Sequence, residues 1–260
     1  MSVAASPIAG AFSAHGKRAA LMPYLMGGYP SVDESVAAGL AAADAGADLL
    51  ELGIPFSDPL ADGPVIHAAG TAALADGVTP FAVLGACERL AVRVPVVLMV
   101  YANIVFSAGA SGFALRAASA GASGLIVPDL PHDEAGELRE ACDAEGIALV
   151  PLVAPTTTPE RVAEIGADAR GFVYTVSLTG TTGERDALPA DLSETVERVR
   201  ASTEVPVAVG FGISTGEHAR AVGEIADGVI VGSRVVRAAG EGGADAVGSL
   251  VAELAAALRD

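Results

Sequence analysis

Short apolar runs alternate with longer Ala-rich segments along almost the whole 260-residue chain. Each run is nearly continuous in apolar residues, which is typical of parallel strands that are covered on both faces. We read eight runs as strands: Ala20–Leu25, Asp48–Leu52, Val94–Tyr101, Gly124–Val127, Ala148–Val153, Gly171–Val176, Val207–Gly210 and Gly228–Val231. Eight strand-then-helix units without a break in composition predict one domain over residues 1–260, an α/β fold of the (β/α)8 TIM-barrel type. Residues before Lys17 are expected to add an N-terminal helical segment that covers the barrel floor.

Local signals between these runs mark the expected helix boundaries. The segments 31–34 and 214–217 both resemble capping boxes that start at a serine, and Pro159 follows Thr158 at a first helical position. Three glycines stand just before predicted strands and are expected to end the preceding helices: Gly46, Gly121 and Gly166. No Gly-x-Gly-x-x-Gly follows the first strand, which weighs against an open dinucleotide-binding sheet.

The charge of the chain limits its partners. Fifteen Lys and Arg against 32 Asp and Glu give a formal net charge of −17, which disfavours nucleic acid and anionic membrane surfaces. The uncharged stretch Val94–Leu115 is interrupted by proline, glycine and polar residues, so no membrane helix is expected there. Two cysteines are too few for a disulfide framework, and no signal peptide is apparent, so we expect a cytoplasmic protein.

An acidic residue interrupts the second predicted strand at Glu51. A buried carboxylate must be paired, protonated or functional, and a hydrogen-bonded core acid is an equally plausible interpretation of this position alone. The loop that follows, Ile54–Pro64, is rich in proline and brings Asp58 and Asp62 to the rim where barrel enzymes place their functional groups. Glu51 with this loop therefore predicts carboxylate acid/base chemistry.

Three Gly-containing turns later in the chain predict a site for an anion. They are Ser177–Gly183 after the sixth strand, Gly210–Ile213 after the seventh and Gly232–Arg234 after the eighth. Barrel phosphates typically bind where these last loops meet a helix N-terminus, and backbone amides can hold a phosphate even in an acidic protein. Each turn alone is weak evidence, because glycine usually just closes a tight turn.

Two common aldolase mechanisms, through a Schiff base or through a metal ion, lack the residues that they need in this sequence. Lys17 is the only lysine and precedes the first strand, so no amine is placed for a Schiff base. The four histidines show no metal-ligand spacing, and no metal is expected. His67 is close enough to the acid-bearing loop to line the site, although a helix-surface position is the more common outcome.

The segment from Glu51 to Pro64, ELGIPFSDPLADGP, resembles the signature of the tryptophan synthase alpha subunit family. The agreement extends through Tyr101–Asn103, Asp129–Pro131, Ser177–Gly183, Gly210–Gly212 and Gly232–Ser233. This resemblance implies a lyase of tryptophan biosynthesis. Such an enzyme cleaves indole-3-glycerol phosphate to indole and glyceraldehyde 3-phosphate by a retro-aldol reaction.

The resemblance also assigns roles to individual residues. It implies that Glu51 is the general acid/base and that Asp62 hydrogen-bonds the indole N–H and stabilises charge on the ring. The implied substrate contacts are Tyr24, Tyr101, Ile126, Tyr174, Thr182 and Phe211, and the implied phosphate contacts are Gly183, Gly212, Gly232 and Ser233. Five positions depart from the family pattern and alter the expected pocket shape: Tyr24, Met26, Tyr29, His67 and Pro128.

The same resemblance implies an α2β2 assembly in which indole passes to a beta subunit. No cofactor is expected in this chain, because the implied pyridoxal phosphate belongs to that partner. The partner contact is expected near Asp58, Asn103 and Asp129, and two mobile loops, Ile54–Asp62 and Leu178–Leu188, are expected to close over substrate.

Two other functions stay open at this point. Indoleglycerol phosphate synthase is a similar phosphate-binding barrel, but its chemistry depends on a catalytic lysine that is missing here. The second alternative is a catalytically silent partner that binds ligand and regulates the beta subunit, and the presence of both Glu51 and Asp62 weighs against it.

Overall fold

A computed structural model describes residues 6–176, 191–210 and 212–259. Within these residues the strands form one parallel nine-stranded sheet in the order β5-β4-β3-β2-β1-β9-β8-β7-β6. The strands are β1 (Ala20–Met26), β2 (Leu50–Gly53), β3 (Val96–Met99), β4 (Ala122–Ile126), β5 (Ala148–Val150), β6 (Leu152–Val153), β7 (Val173–Val176), β8 (Val207–Gly210) and β9 (Gly228–Val231).

Helices lie in the connections between consecutive strands, except between β5 and β6, and they surround the sheet. They are α1 (Pro7–Ser13), α2 (Val32–Asp44), α3 (Pro64–Ala75), α4 (Pro80–Ala91), α5 (Ala102–Ser107), α6 (Ala110–Ser119), α7 (Gly136–Glu145), α8 (Pro159–Asp168), α9 (Leu192–Arg200), α10 (Gly216–Gly223) and α11 (Ser233–Ala257), with a short 3-10 turn at His132–Glu134. None of the helices in the described ranges is long and apolar enough to cross a membrane by itself. The pair α3 and α4, bent by 110°, meets the same length and composition test together.

The sheet closes at Pro151. Its two end strands, β5 and β6, follow one another in the chain, and proline separates them because it has no N–H to donate to a neighbouring strand. The carbonyl of Pro151 still accepts a hydrogen bond of 2.9 Å from the N–H of Tyr174 on β7. The predicted strand Ala148–Val153 is therefore one barrel strand in two pieces, and the predicted (β/α)8 barrel is confirmed.

Alternating side chains of the strands form two separate cores. On β1, Met22 and Tyr24 point into the barrel, whereas Leu21 and Leu25 pack against the surrounding helices. The alternation follows from the period of two in a strand, and parallel strands covered on both faces are apolar on both sides. Glu51 occupies an inward position of β2, opposite Tyr24 of β1 in the sheet register.

The N-terminal segment covers the barrel floor, as predicted. Ile8 of α1 is fully buried among the inward side chains. Phe12 packs against Phe172 with ring centroids 5.5 Å apart. A Cβ added to Gly228, the first residue of β9, would lie 2.7 Å from the Phe12 ring. The segment therefore seals the amino ends of the strands, and the opposite end holds the cavity described below.

Most of the predicted boundary signals are confirmed. The Ser31 side chain caps α2 by accepting a 3.2 Å hydrogen bond from the N–H of Glu34, and Thr158 caps α8 in the same way. The capping box predicted at 214–217 begins one residue too early, because Thr215 and not Ser214 is the N-cap of α10. Gly166 does not end its helix, which continues to Asp168; a Cβ at this glycine would lie 2.1 Å from the carbonyl oxygen of Ser202.

The predicted strand ends differ from the observed ones by up to two residues. The second strand begins at Leu50 rather than Asp48. Before it, the Asp48 N–H donates to the carbonyl of Leu21 at 2.9 Å, and the Asp48 carboxylate accepts a 2.7 Å hydrogen bond from the N–H of Leu21. Val96–Met99 is shorter than its predicted run, whereas Ala122–Ile126 starts earlier. Such end effects are common, because apolar runs continue into the connections on both sides.

Candidate active site

A cavity of about 280 Å³ opens at the carboxyl ends of the strands. It is lined by Tyr24, Glu51, Ala61, Asp62, Ile66, Met99, Pro128, Leu152, Ala154, Thr157, Tyr174, Val176, Gly212, Ile213, Ile230, Gly232 and Ser233. Most of these side chains are apolar or aromatic, and the few polar groups converge from different strands. This combination is typical of a site for a small, partly aromatic ligand.

Glu51 lies in the middle of this cavity wall on β2. Its side chain is buried, with 1% of the residue exposed. Neither carboxylate oxygen has a hydrogen-bond partner among the residues that the structure describes. Burial in these surroundings, reinforced by the negative charge of Asp62, raises the pKa of Glu51 from 4.5 to about 8. These surroundings therefore favour the protonated form of Glu51, which suits it to donate a proton.

Asp62 faces the same cavity from the loop between β2 and α3. The Tyr101 hydroxyl donates a 3.0 Å hydrogen bond to Asp62 Oδ1 and accepts one of 3.1 Å from the N–H of Ala61. The Tyr101 ring stacks on Phe56 of the same loop, with centroids 5.0 Å apart. Burial raises the pKa of Asp62, whereas the bond from Tyr101 and the nearby His67 act in the opposite direction. Tyr101 therefore supports the loop in place and favours the ionised form of Asp62.

Two buried tyrosines flank Glu51. A Cβ on Gly53 would lie 2.0 Å from the Tyr24 hydroxyl oxygen, and a Cβ on Gly210 would lie 2.2 Å from that of Tyr174. Glycine at both strand ends thus makes room for a phenol from the neighbouring strand. Burial and the charge of Glu51 raise the pKa of both tyrosines, so both hydroxyls keep their protons.

The opposite rim of the cavity is built from the last two strand ends. Gly232 follows β9 and is the N-cap residue of α11, and Ser233 is the first residue of that helix. Gly212 follows β8 with φ of +79°, a conformation that favours glycine, and a Cβ there would meet no atom of the described residues within 4 Å. Backbone N–H groups at a helix start are suited to anions. Thr182, Gly183 and Phe211, which the sequence also assigned to substrate or phosphate, lie outside the described residues, as does the loop 178–188.

Two other predicted substrate contacts, Tyr101 and Ile126, are buried and are not part of the described cavity lining, and their contact with substrate stays a prediction. Tyr101 contacts Asp62 rather than lining the cavity, and Ile126 is fully buried among the inward side chains. Several lining residues were not singled out from the sequence: Ile66, Met99, Leu152, Thr157, Ile213 and Ile230. Met99, Leu152 and Ile230 occupy inward positions near strand ends. The direction of side chains alternates along a strand, and counting every second residue in each predicted run could have identified them.

Within the described residues there is no group of three or more His, Cys, Asp or Glu side chains that could hold a metal ion. Lys17 is not available as a nucleophile, because its buried ammonium group donates hydrogen bonds to Asp48 Oδ1 at 2.8 Å and to the carbonyl of Gly46 at 3.0 Å. His67 is exposed on α3 and does not line the cavity. The described part of the site brings two carboxyl groups to one cavity whose opposite rim is a helix start, which suits proton transfer between a carboxyl group and an anionic ligand.

Comparison with known proteins gives one consistent result. The family model for the tryptophan synthase alpha chain matches residues 12–258. The tryptophan synthase alpha chain of Carboxydothermus hydrogenoformans is 48% identical over 219 residues, covering 84% of this chain and 82% of that protein. That of Gloeobacter violaceus is 48% identical over 244 residues, covering 91% and 88%. A chain from a structure of Mycobacterium tuberculosis tryptophan synthase superimposes with a TM-score of 0.92 at 41% identity, covering 99% of this chain and 100% of that one.

Proposed function

The chain belongs to the tryptophan synthase alpha chain family, and we propose that Glu51 and Asp62 perform its chemistry. As a member of that family it is a lyase of tryptophan biosynthesis, which cleaves indole-3-glycerol phosphate to indole and glyceraldehyde 3-phosphate. One observation supports the proposed roles above all others. Two carboxyl groups face one cavity, and only Asp62 has a hydrogen-bond donor among the described residues.

The surroundings of the two acids suit Glu51 to the role of proton donor and Asp62 to the role of stabilising anion. Glu51 has no donor to stabilise its anion and faces a second acid, so it holds its proton up to a pH of about 8. Asp62 accepts a hydrogen bond from Tyr101, which stabilises its anion. Burial raises the pKa of both acids, but only at Asp62 does a hydrogen-bond donor oppose that shift, which is typical of an acid paired with an electrostatic stabiliser.

The reaction then proceeds in two proton transfers. Glu51 donates its proton to the indole ring carbon that bears the glycerol chain, and the resulting positive charge on the ring nitrogen faces the Asp62 carboxylate. The Glu51 carboxylate next accepts the proton of the adjacent chain hydroxyl. The O–H electrons form the aldehyde C=O, the carbon–carbon bond breaks, and its electrons restore the neutral indole. Glu51 is thereby protonated again, so the cycle balances.

The phosphate of the substrate binds at the start of α11. Gly212, Gly232 and Ser233 line this rim, and their backbone N–H groups are the proposed donors. This placement leaves the apolar centre of the cavity for the indole ring, beside Tyr24 and Tyr174. Gly183, Thr182 and Phe211 complete the proposed set of ligand contacts from outside the described residues.

Membership of the family implies partnership with a beta subunit. The finer proposal is an α2β2 assembly in the cytoplasm, in which the partner supplies pyridoxal phosphate and receives indole. The proposed contact face comprises Asp58, Asn103 and Asp129, which follow three consecutive barrel strands, β2, β3 and β4. Asp58 and Asn103 are exposed, and Asp129 is held by a 2.9 Å hydrogen bond from the N–H of Ala102. Closure of the loops 54–62 and 178–188 over substrate belongs to the same proposal.

The test is release of indole from indole-3-glycerol phosphate by the purified chain, measured with and without a beta subunit. Cleavage by the chain alone, accelerated by the partner, is the expected result. Ligand binding without any cleavage in either condition would instead identify a catalytically silent regulatory partner. Equal rates in both conditions would contradict the proposal that the partner favours closure.

A further inference from the structure

The hydroxyl group of Tyr24 is a buried donor without an oxygen acceptor in the described part of the chain. Tyr24 lines the cavity and is only 3% exposed. The one acceptor that its hydroxyl reaches there is Met26 Sδ at 4.0 Å, and a thioether sulfur accepts hydrogen bonds weakly. Buried polar groups in proteins are normally hydrogen-bonded, so a donor left in this state at a ligand cavity is available to a ligand.

The course of the Tyr24 side chain identifies which part of a ligand it would meet. Its Cβ lies 3.9 Å from the position of a Cβ on Gly232, at the rim proposed for the phosphate. Its hydroxyl lies against Gly53, two residues beyond Glu51 on the neighbouring strand. The side chain therefore extends from the rim proposed for the phosphate towards the end of the strand that carries Glu51. The three-carbon chain of the substrate must run in the same direction, because it joins the phosphate to the indole ring.

We propose that the Tyr24 hydroxyl donates a hydrogen bond to the chain hydroxyl of the substrate that loses its proton to Glu51. This inference rests on the proposed function and adds a substrate-binding donor to it. The accepting oxygen is a hydroxyl in the bound substrate and an aldehyde oxygen in the product, and it has a free lone pair in both. Tyr24 keeps its own proton throughout, so the proton transfers described above are unchanged.

Two features of the site favour the substrate oxygen over the acids as acceptor. Asp62 already accepts a hydrogen bond from Tyr101, and within the described residues the Tyr24 hydroxyl makes no hydrogen bond to either acid, its one partner there being Met26 Sδ. Burial, with the negative charges of Asp62 and Glu51, raises the pKa of Tyr24, so the phenol stays a donor over the working pH range. Exchange of a distant sulfur for a substrate oxygen is thus a net gain in hydrogen bonding when the ligand binds.

The test compares two ligands that differ only in the chain hydroxyls. Indole-3-glycerol phosphate has them, and 3-indolepropanol phosphate lacks them. Dissociation constants are measured by calorimetry for the Tyr24→Phe variant and its parent. For indole-3-glycerol phosphate, both proteins also carry Glu51→Gln, so that the substrate is not cleaved during the measurement. Tyr24→Phe is expected to weaken binding of the substrate about tenfold and to change binding of the propanol analogue by less than about twofold. In the background that retains Glu51, kcat/KM should fall by a similar factor.

Two further variants distinguish the loss of the Tyr24 hydrogen bond from a change in packing. Tyr29→Phe removes a phenol oxygen that packs against Gly240 outside the cavity lining, and it should affect neither ligand. Met26→Leu removes the sulfur acceptor at similar volume and should not weaken substrate binding. An equal loss for both ligands in Tyr24→Phe, no loss for the substrate, or the same ligand pattern in Met26→Leu would overturn the inference. Absence of indole release from the unmodified chain would refute the proposed function instead, because the ratio of dissociation constants does not depend on turnover.

Discussion

Glu51 and Asp62 reach the same cavity from two different parts of the molecule. Glu51 belongs to β2, which is held between β1 and β3 by parallel backbone hydrogen bonds, with Tyr24 and Val97 in register on either side. Asp62 belongs to a connection whose tip is open to solvent, where Leu60 is 81% exposed. Burial raises the pKa of both acids, whereas the Tyr101 hydroxyl donates a hydrogen bond to the loop acid and opposes the shift there.

This contrast explains how two similar carboxyl groups can have different tasks. The surroundings of Glu51 contain no described donor and favour the neutral acid, while the bond from Tyr101 favours the Asp62 anion. An acid on a sheet is positioned rigidly, which suits proton transfer to a defined carbon atom. An acid on a loop can approach after substrate has entered, which suits charge stabilisation in a closed site. The following substitutions test that division.

The largest effect is expected for Glu51→Gln. The amide has nearly the same shape but can neither donate the required proton nor accept the second one, so kcat should fall by about 10³-fold or more. Binding of 3-indolepropanol phosphate should stay within a few-fold of the parent. Glu88→Gln, on the exposed face of α4, is the matched control. Indole release near the parental rate would remove Glu51 from the mechanism.

A smaller but still severe loss is expected for Asp62→Asn. The amide cannot stabilise a positive ring nitrogen as an anion does, so kcat/KM should fall about 10²- to 10³-fold. Asp76→Asn, at the other end of α3, makes the same change in charge at an exposed position and controls for net charge. Steady-state indole release measures both variants. If Asp62→Asn behaved like its control, the loop acid would have no electrostatic role.

Tyr101→Phe tests the support of the loop acid, and about a tenfold loss of kcat/KM is expected. The bond from Tyr101 lowers the pKa of Asp62, so its removal should move the acidic limb of the pH–rate profile to higher pH. A double-mutant cycle provides the control, because Tyr101→Phe should have almost no further effect in the Asp62→Asn background. Additive losses would show that Tyr101 acts independently of Asp62.

The smallest effect concerns stability and its dependence on pH. The folded chain holds the Glu51 proton up to a pH of about 8, whereas an unfolded chain releases it near 4.5. Between these values the folded state binds more protons, so the contribution of Glu51 to stability falls as pH rises. Glu51→Gln should therefore raise the melting temperature, by a margin that grows between pH 5 and pH 8 and then levels off. A margin that is the same at pH 5 and pH 9 would place Glu51 in a solvated environment.

Much of the barrel and part of the site could be predicted because their signals are local. Continuous apolar runs such as Val207–Gly210 and Gly228–Val231 are confirmed to the residue, since both faces of a parallel strand are covered. The expectation that a glycine ends the helix before a strand is wrong at Gly166. There the carbonyl of Ser202, from a distant part of the chain, leaves no room for a Cβ. It also could not foresee how deeply Ile126 is buried among the inward side chains, since depth within a barrel depends on all strands together.

The sequence alone determined that eight strand-and-helix units form a barrel and that acids follow its second strand, because periodicity and turn residues act over a few neighbours. Only the tertiary structure decided the surroundings that shift the pKa values of the two acids. Tyr101 and Asp62 are 39 residues apart in the chain, and the bond between them exists because two barrel connections meet at one rim. The desolvation of Glu51 likewise comes from side chains of many strands. A pKa reports the whole surroundings of a group, and those surroundings are assembled only when the barrel closes.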